Sequence, residues 1–454
     1  MSKASVTVIG AGLAGCEAAW QLNRMHIDTC LVDIKPGSLT DAHHSPYFGE
    51  LVCSNSLKSD SPSNACGLLK EEMRILRSLT MDAAEACRVP AGEALAVDRE
   101  RFAQTITEAV GRAEHIEIKC GEIREIPEGD CIIATGPLTT GALADAISGL
   151  VGRDNLYFYD AAAPIVLADS IDKEKVFSGS RYGHGNDYIN CPMNETEYDG
   201  FVKALVEAET VPVQGFEEQK VFEACMPVES LAKRGYLTLA YGPLRPKGLI
   251  DPRTGKEPFA VVQLRQDDTA ASLYNMVGFQ TRLKLPEQRR VFSMIPGLEN
   301  VRFARYGVMH RNTYIRSPGA LNMDLSLKER PGIFFAGQLT GVEGYVESAA
   351  SGMYAGIMMG CRIKGKTPPP FPRETVLGAL VNYVVNHPAR DFQPMNANFG
   401  IVAAEAKRYG SKKAKYAHYT ERSVKIIKAI EEYIETDIIQ VNGEMEKCTK
   451  EQPS

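Results

Sequence analysis

The chain has 454 residues, of which 44% are hydrophobic and 24% are charged, and its formal net charge at pH 7 is −6. This length predicts two or three domains, and this composition excludes a disordered scaffold and a protein covered in positive charge. The 11 cysteines are scattered along the chain and form no CxxC pair, so we predict neither a disulfide framework nor a metal site.

The first predicted element is a strand over 6–9, which runs into a glycine turn and then a helix over 16–22. The turn matches GxGxxG and consists of Gly10, Ala11, Gly12, Leu13, Ala14 and Gly15. In such a turn the first glycine permits the tight bend, the second lets the backbone approach a pyrophosphate, and the third lets helix and strand pack closely. We therefore predict that these residues bind a dinucleotide at the helix N-terminus. A glycine turn without a ligand is the alternative.

The second predicted strand, over 29–32, ends at Asp33. This acid lies 18 residues after Gly15, where a carboxylate accepts hydrogen bonds from the ribose of a dinucleotide. Asp33 is therefore predicted to bind the same cofactor as the turn.

Two later strands indicate that the dinucleotide is FAD rather than a nicotinamide cofactor. One covers 131–134 and continues into an Ala-Thr-Gly turn, and the other covers 333–336 and ends at Gly337. A glycine fingerprint near the start of a chain with a strand that returns near its end is typical of FAD-binding flavoproteins, so we predict that Gly337 also contacts FAD. The sequence holds no second GxGxxG, and NADH or NADPH would therefore use a less standard site.

The character of the chain changes between 161 and 295, where prolines, glycines and short β-rich pieces are frequent. We predict an α/β fold in which 1–160 and 296–440 form a discontinuous, Rossmann-like FAD-binding domain and 161–295 form an inserted α+β substrate domain. A tail over 441–454 is expected to be disordered. No apolar run is long enough to cross a membrane and the chain opens almost directly on a strand, so we expect a cytoplasmic protein without a signal peptide.

Seven longer stretches carry a more specific pattern. They are AHHSPYFGELVCSNSLKS at 42–59, SNACGLLKEEMR at 63–74, VPAGEALAVDRERF at 89–102, YFYDAAAPIV at 157–166, RYGVMHRNTYI at 305–315, FFAGQLTGVEGYVESAASG at 334–352 and FQPMNANFG at 392–400. These stretches closely resemble the TrmFO family of folate- and FAD-dependent tRNA uracil-5-methyltransferases. The resemblance extends to about residue 430 and implies the two-lobed flavoprotein fold of the related GidA family.

The resemblance also implies a reaction. Methylenetetrahydrofolate supplies a one-carbon unit, NADH or NADPH supplies reducing equivalents through FAD, and a T-loop uridine of tRNA becomes 5-methyluridine. Three alternatives stay open: the same chemistry on a uridine of 23S rRNA, a plain FAD-dependent NAD(P)H oxidoreductase with a cysteine pair, and an RNA-binding flavoprotein without turnover.

Methylation of uracil C5 requires a nucleophile that first adds to C6, and a thiolate is the usual choice. By resemblance we assign Cys225 as this nucleophile and Cys53 as its partner near the flavin, with the reverse order left open. Tyr345 has a flat ring that can stack on the flavin or on the folate pterin, and a core tyrosine is the alternative. Glu343 and Glu347 flank it as candidate partners of flavin or pterin nitrogens, with surface salt bridges as the alternative.

An RNA substrate requires positive charge, which the sequence concentrates in one segment. Between 407 and 428 there are eight basic residues and one acid, with three tyrosines interleaved. The residues that we predict to contact RNA are Lys407, Arg408, Lys412, Lys413 and Lys415. A solvated helix face is the alternative interpretation of this segment.

Overall fold

The structure is a computed structural model that describes residues 5–40, 43–139, 141–151, 156–161, 163–181, 185–211, 226–388, 392–406 and 409–440. Cys225, Lys407, Arg408 and the tail over 441–454 lie outside the described residues. The assignments made for them therefore stay predictions.

The described strands are numbered in chain order. They are β1 Val6–Ile9, β2 Thr29–Asp33, β3 Ser56–Ser59, β4 Arg88–Val89, β5 Ala94–Val97, β6 Ile116–Cys120, β7 Cys131–Ile133, β8 Leu156–Ala161, β9 Ile165–Leu167, β10 Phe177–Ser178, β11 Tyr188–Met193, β12 Ala260–Gln266, β13 Leu273–Met276, β14 Phe303–Arg305, β15 Met309–Tyr314 and β16 Ile333–Phe335.

The described α-helices are numbered in the same way. They are α1 Leu13–Arg24, α2 Ala65–Ile75, α3 Leu79–Ala86, α4 Arg99–Arg112, α5 Gly141–Val151, α6 Glu195–Glu207, α7 Val228–Lys233, α8 Thr238–Tyr241, α9 Leu285–Phe292, α10 Ser317–Ala320, α11 Tyr345–Ile363, α12 Val376–Asn386 and α13 Lys412–Tyr433. Among the described helices, none has both the length and the apolar character that crossing a bilayer requires.

Within the described ranges, five strands form a parallel sheet in the order β16-β7-β1-β2-β6. The chain builds β1, β2 and β6 toward one edge and then returns to add β7 and β16 on the other side of β1. The strand order therefore reverses between β1 and β7, and ligands of open parallel sheets bind at the carboxyl end of such a point. The glycine turn begins there, directly after β1. This sheet confirms the predicted α/β fold class.

A second sheet is antiparallel and follows the order β10-β11-β12-β13-β9-β14 among the described strands. It has its own apolar core, to which α6, α7 and α9 contribute side chains such as Phe201, Val228 and Phe292. The sheet includes β14, which follows residue 295. The predicted domain bounds at 160 and 295 stay a prediction.

Helices α1 and α11 pack together unusually closely. A Cβ on Gly352 would lie 2.0 Å from the carbonyl oxygen of Ala14, and a Cβ on Gly356 would lie 2.7 Å from that of Ala18. Only glycine permits this approach, which explains the run of small residues that begins α11. The contact ties the late part of the chain to the helix that follows the glycine turn.

Candidate functional site

The glycine turn joins β1 to α1 at the carboxyl end of the parallel sheet. Gly10 has φ +97°, and a Cβ on it would lie 2.6 Å from the carbonyl oxygen of Ala134. A Cβ on Gly15 would lie 1.7 Å from the carbonyl oxygen of Gly10. By contrast, a Cβ on Gly12, the N-cap of α1, would have no described atom within 4 Å. Packing therefore requires two of the glycines, and the third leaves the helix N-terminus open to an anion.

Asp33 ends β2 beside this turn. Its Oδ2 accepts a hydrogen bond from the backbone N–H of Ala11 over 2.6 Å, and its Oδ1 accepts one from the N–H of Lys35 over 2.8 Å. A carboxylate oxygen has a further lone pair, so Asp33 can still accept a ribose hydroxyl. The open helix end and this carboxylate together fit the pyrophosphate and ribose of FAD.

Gly337 brings the chain back from β16 to the same helix. Its φ is +76°, its N–H donates to the Ser351 hydroxyl over 3.2 Å, and a Cβ on it would lie 2.9 Å from the Cβ of Ala14. Leu13 and Ala14, two residues of the GxGxxG stretch that already belong to α1, are buried. The structure therefore brings the predicted cofactor residues from both ends of the chain together.

Cys53 and Tyr345 lie in hydrogen-bond contact although 292 residues separate them in the chain. The Cys53 Sγ is 2.9 Å from the phenol oxygen of Tyr345, and the same oxygen accepts the backbone N–H of Cys53 over 2.7 Å. Burial raises the pKa of the Tyr345 phenol well above its ordinary value, so it stays protonated at neutral pH. The structure thus brings together two side chains that the sequence analysis had assigned separately to the flavin region.

The segment that carries Cys53 is attached to the glycine turn. The backbone N–H of Gly49 donates to the carbonyl oxygen of Ala11 over 2.9 Å. Tyr345 begins α11, the helix that packs against α1. Cys53 and Tyr345 are therefore held next to the turn by two separate connections.

Three arginines that the sequence analysis did not single out hold polar groups beside Cys53. They are Arg99 at the start of α4, Arg265 in β12 and Arg305 in β14. Arg99 donates to the carbonyl oxygen of Leu51 over 2.7 Å, and Arg305 donates to that of Val52. Arg265 donates to the Ser54 hydroxyl over 2.8 Å. Two sequence signals could have found them: Arg99 and Arg305 lie within the family-like stretches at 89–102 and 305–315, and Arg265 is the one charged residue of β12.

Burial determines the electrostatics of these guanidinium groups. It lowers the pKa of Arg265 and of Arg305. Burial also acts to lower the pKa of Arg99. The attraction of Asp267, 2.9 Å away, acts in the opposite direction, and the net result is a raised pKa. A guanidinium group remains protonated in either case, so three positive charges surround the Cys53 segment.

Glu343 and Glu347 are buried, so neither is a surface acid, but Glu347 does form an ion pair with Lys58. The Glu347 Oε1 accepts hydrogen bonds from Lys58 over 3.1 Å and from the N–H of Ala397 over 3.0 Å. Gln338 donates to Glu343 over 3.1 Å. Both carboxylates therefore have structural partners on the side of α11 where Tyr345 begins the helix.

Most of the described basic segment lies in α13, which starts at Lys412. Lys412 and Lys413 are exposed, and the Lys412 Nζ lies 5.4 Å from the centroid of the Tyr416 ring. Cations in the first turn oppose the helix dipole, although the contact with the Tyr416 ring compensates Lys412 in part. Tyr419 is 1% exposed and cannot stack on a base. The structure thus presents Lys412 and Lys413 to solvent and leaves Lys415 half-buried beside the Tyr419 ring.

Comparison with known proteins gives a consistent result. The family model described as "Glucose inhibited division protein A" matches residues 5–367. The methylenetetrahydrofolate--tRNA-(uracil-5-)-methyltransferase TrmFO of Acetivibrio thermocellus is 55% identical over 425 residues, which cover 93% of this chain and 98% of that protein. The TrmFO of Brevibacillus brevis is 54% identical over 428 residues, covering 94% of this chain and 98% of that protein.

Among solved structures, the chain is similar to Aquifex aeolicus GidA in two crystal forms. The TM-scores are 0.67 and 0.66, at 15% and 16% sequence identity. Each comparison covers 98% of this chain, with 76% and 79% of the respective GidA chain. The similarity shows that the fold is that of GidA, as the sequence predicted.

Proposed function

The chain belongs to the TrmFO family of folate-dependent tRNA (uracil-5-)-methyltransferases, and we propose that it methylates a T-loop uridine of tRNA with Cys225 as nucleophile and Cys53 as its partner beside FAD. Membership follows from the identity of 55% to a relative of which 98% is covered. As in the family, FAD is the bound cofactor and methylenetetrahydrofolate is the one-carbon donor.

The observation that carries the assignment of Cys53 is its contact with Tyr345 beside the glycine turn. The thiol and the phenol are 2.9 Å apart, and Cys53 is only partly buried. Most other described cysteines are buried, and burial raises the pKa of Cys131 to about 11 and that of Cys361 to about 11, which keeps these thiols protonated and unreactive. Cys53 is thus better suited to chemistry than these buried thiols.

The residues of this chain then have distinct roles. The glycine turn, Asp33 and Gly337 bind FAD, which supplies the redox chemistry when bound. Tyr345 presents its ring to the cofactor region and holds Cys53 through its hydroxyl group. Cys225 adds to uracil C6, which makes C5 nucleophilic.

We propose that the exposed lysines at the start of α13 contact the tRNA backbone, together with Lys407 and Arg408. Support comes from their position, since Lys412 and Lys413 face solvent in the first turn of a helix, where their charges oppose the helix dipole. A phosphate would offset that unfavourable charge. Substitution of Lys412, Lys413 and Lys415 by alanine should raise KM for tRNA and leave kcat nearly unchanged, and exposed Lys203→Ala serves as the control.

The nicotinamide reductant belongs to the same proposal, with NADH and NADPH both to be tested. The reaction is expected to take place in the cytoplasm, where tRNA and reduced folate are available.

The decisive experiment incubates the FAD-loaded protein with methylenetetrahydrofolate, NADPH and an unmodified tRNA transcript, and maps 5-methyluridine by mass spectrometry. We expect modification at one T-loop position in the parent and in Cys120→Ala, whose thiol is exposed. We expect none in Cys225→Ala or in Cys53→Ala.

Other outcomes point to other functions. Modification of a 23S rRNA fragment but not of tRNA would mean that the same reaction acts on rRNA instead of tRNA. Consumption of NADPH without modification of either RNA would favour the plain oxidoreductase. Retained tRNA modification in Cys225→Ala would remove that residue from its proposed role.

A further inference from the structure

The direction of the hydrogen bond between Tyr345 and Cys53 can be assigned from its surroundings. The phenol oxygen lies 2.7 Å from the backbone nitrogen of Cys53 and 3.3 Å from that of Ser54. Both nitrogens are donors only, so they use the two lone pairs of the oxygen. The single phenol hydrogen is then left for the Cys53 Sγ, 2.9 Å away. The sulfur therefore accepts this hydrogen bond, which favours its deprotonated form.

The charges around Cys53 act in the same direction. Three guanidinium groups approach its segment from three different elements: Arg99 from α4, Arg265 from β12 and Arg305 from β14. The Nε atoms of Arg99 and Arg305 are buried and have no hydrogen-bond partner among the described residues. Buried cations of this kind are costly unless a negative charge lies nearby.

The other titratable groups facing this region do not cancel the positive charge. Asp267 forms an ion pair with Arg99 over 2.9 Å, and Glu50 forms one with Lys35 over 2.7 Å. Burial, reinforced by Arg305, lowers the pKa of His44 and keeps that imidazole neutral. After these pairings the described residues leave an excess of positive charge beside Cys53.

We propose that Cys53 rests as a thiolate, held by the Tyr345 hydroxyl hydrogen and by the charges of Arg99, Arg265 and Arg305. The proton of the thiol is released to solvent. The three arginines are positioning residues, since each acts through the Cys53 segment. The inference rests on the proposed function only in assigning Cys53 to the reaction; the charge state itself is independent of the substrate.

The test measures the rate at which iodoacetamide alkylates Cys53 in the FAD-loaded protein as a function of pH, read from the Cys53 peptide by mass spectrometry. For an ordinary thiol, the alkylation rate reaches half of its maximum at about pH 8.5. We expect the Cys53 midpoint below about pH 7. The exposed Cys120 of the same sample shows that the reagent is active at each pH. The difference in thiolate ultraviolet absorbance between the parent and Cys53→Ser gives the same midpoint without reagent access.

Variants separate charge from packing. Arg305→Gln and Tyr345→Phe should each raise the midpoint by about one unit, which lowers the alkylation rate at pH 6 about tenfold. Arg305→Lys keeps the charge and should keep the midpoint low. Arg302→Gln is the matched control, because Arg302 is 58% exposed and forms its ion pair with Asp169.

Two results would overturn the inference. One is an ordinary midpoint for Cys53 in the parent. The other is an unchanged midpoint in both Arg305→Gln and Tyr345→Phe when these variants bind FAD and melt like the parent.

Failure here is distinguishable from failure of the proposed function. An ordinary midpoint together with 5-methyluridine in tRNA would refute only the thiolate. A low midpoint in a protein that modifies no RNA would refute only the assigned reaction.

Discussion

The glycine turn and the Cys53 segment are neighbours, joined by the hydrogen bond from Gly49 to Ala11, but they depend on opposite kinds of residue. The turn works because side chains are absent, since a Cβ on Gly15 would lie 1.7 Å from the carbonyl oxygen of Gly10. The Cys53 segment works because long charged side chains reach it, and Arg305 contacts Val52 across 253 residues of sequence. The nucleotide turn thus depends on residues that are adjacent in the chain, whereas the charge around the Cys53 thiol depends on arginines that are distant in the chain.

The most destabilising substitution in the glycine turn is Gly15→Ala. The added methyl group would collide with backbone that cannot move without shifting β1, so we expect a loss of about 3 kcal/mol or more in the free energy of unfolding. The protein should also lose FAD. Thermal melting and flavin absorbance of the purified variant measure both effects.

Gly12→Ala is the matched control for that substitution. Its Cβ meets no described atom within 4 Å, so the melting temperature of the apoprotein should stay unchanged. FAD affinity should fall by about tenfold, or about 1.4 kcal/mol, because the methyl group enters the space that a pyrophosphate would use. A variant that binds FAD like the parent would contradict the assignment of this opening.

In the Cys53 segment, Asn55→Ala removes the side chain that joins β5 to β12. Asn55 is fully buried; it donates to the carbonyl oxygens of Val97 over 3.0 Å and Gln266 over 2.9 Å and accepts from Arg265 over 3.0 Å. Leaving these partners unsatisfied should cost about 3 kcal/mol of unfolding free energy, as measured by urea denaturation. The exposed Gln104→Ala should cost almost nothing, and equal losses in the two variants would argue against a specific join.

The smallest expected effect comes from Asp267→Asn, which tests whether the charge near Cys53 controls deprotonation of its thiol. The amide keeps an acceptor for Arg99 but removes a negative charge near Cys53. A thiolate should then form more readily, and its alkylation at pH 6 should rise about threefold. Asp172→Asn, at a partly exposed position outside the Cys53 segment, should leave the rate unchanged. A slower reaction in Asp267→Asn would mean that the positive charge does not act on Cys53.

The sequence predicted the nucleotide region well. The strand, the turn and the helix follow one another directly, and Asp33 ends the next strand where the structure places it, with its carboxylate accepting the N–H of Ala11. Gly337 was found from a strand and a glycine alone, and the structure packs it against Ala14. The turn is visible in the sequence because steric limits act on residues close together in the chain, whereas Gly337 was predicted from the pattern of a strand that returns near the end of the chain.

The sequence analysis was less complete for the surface of α13. Tyr419 is one of the three tyrosines interleaved with the basic residues of this segment, but its ring is buried, with the guanidinium carbon of Arg422 lying 4.8 Å from its centroid. Arg422 is also engaged, since it pairs with Glu405 over 2.9 Å. Basic and aromatic residues in one helix do not reveal which face meets the core.

By itself, the sequence determined the glycine fingerprint, the returning strand and the family, because each depends on neighbouring residues or on continuous motifs. Only the tertiary structure shows that Tyr345 contacts Cys53 and that Arg99, Arg265 and Arg305 reach the same segment. These contacts join four distant elements, and a hydrogen-bond direction or a local charge excess depends on three-dimensional distance, which spacing along the chain does not encode.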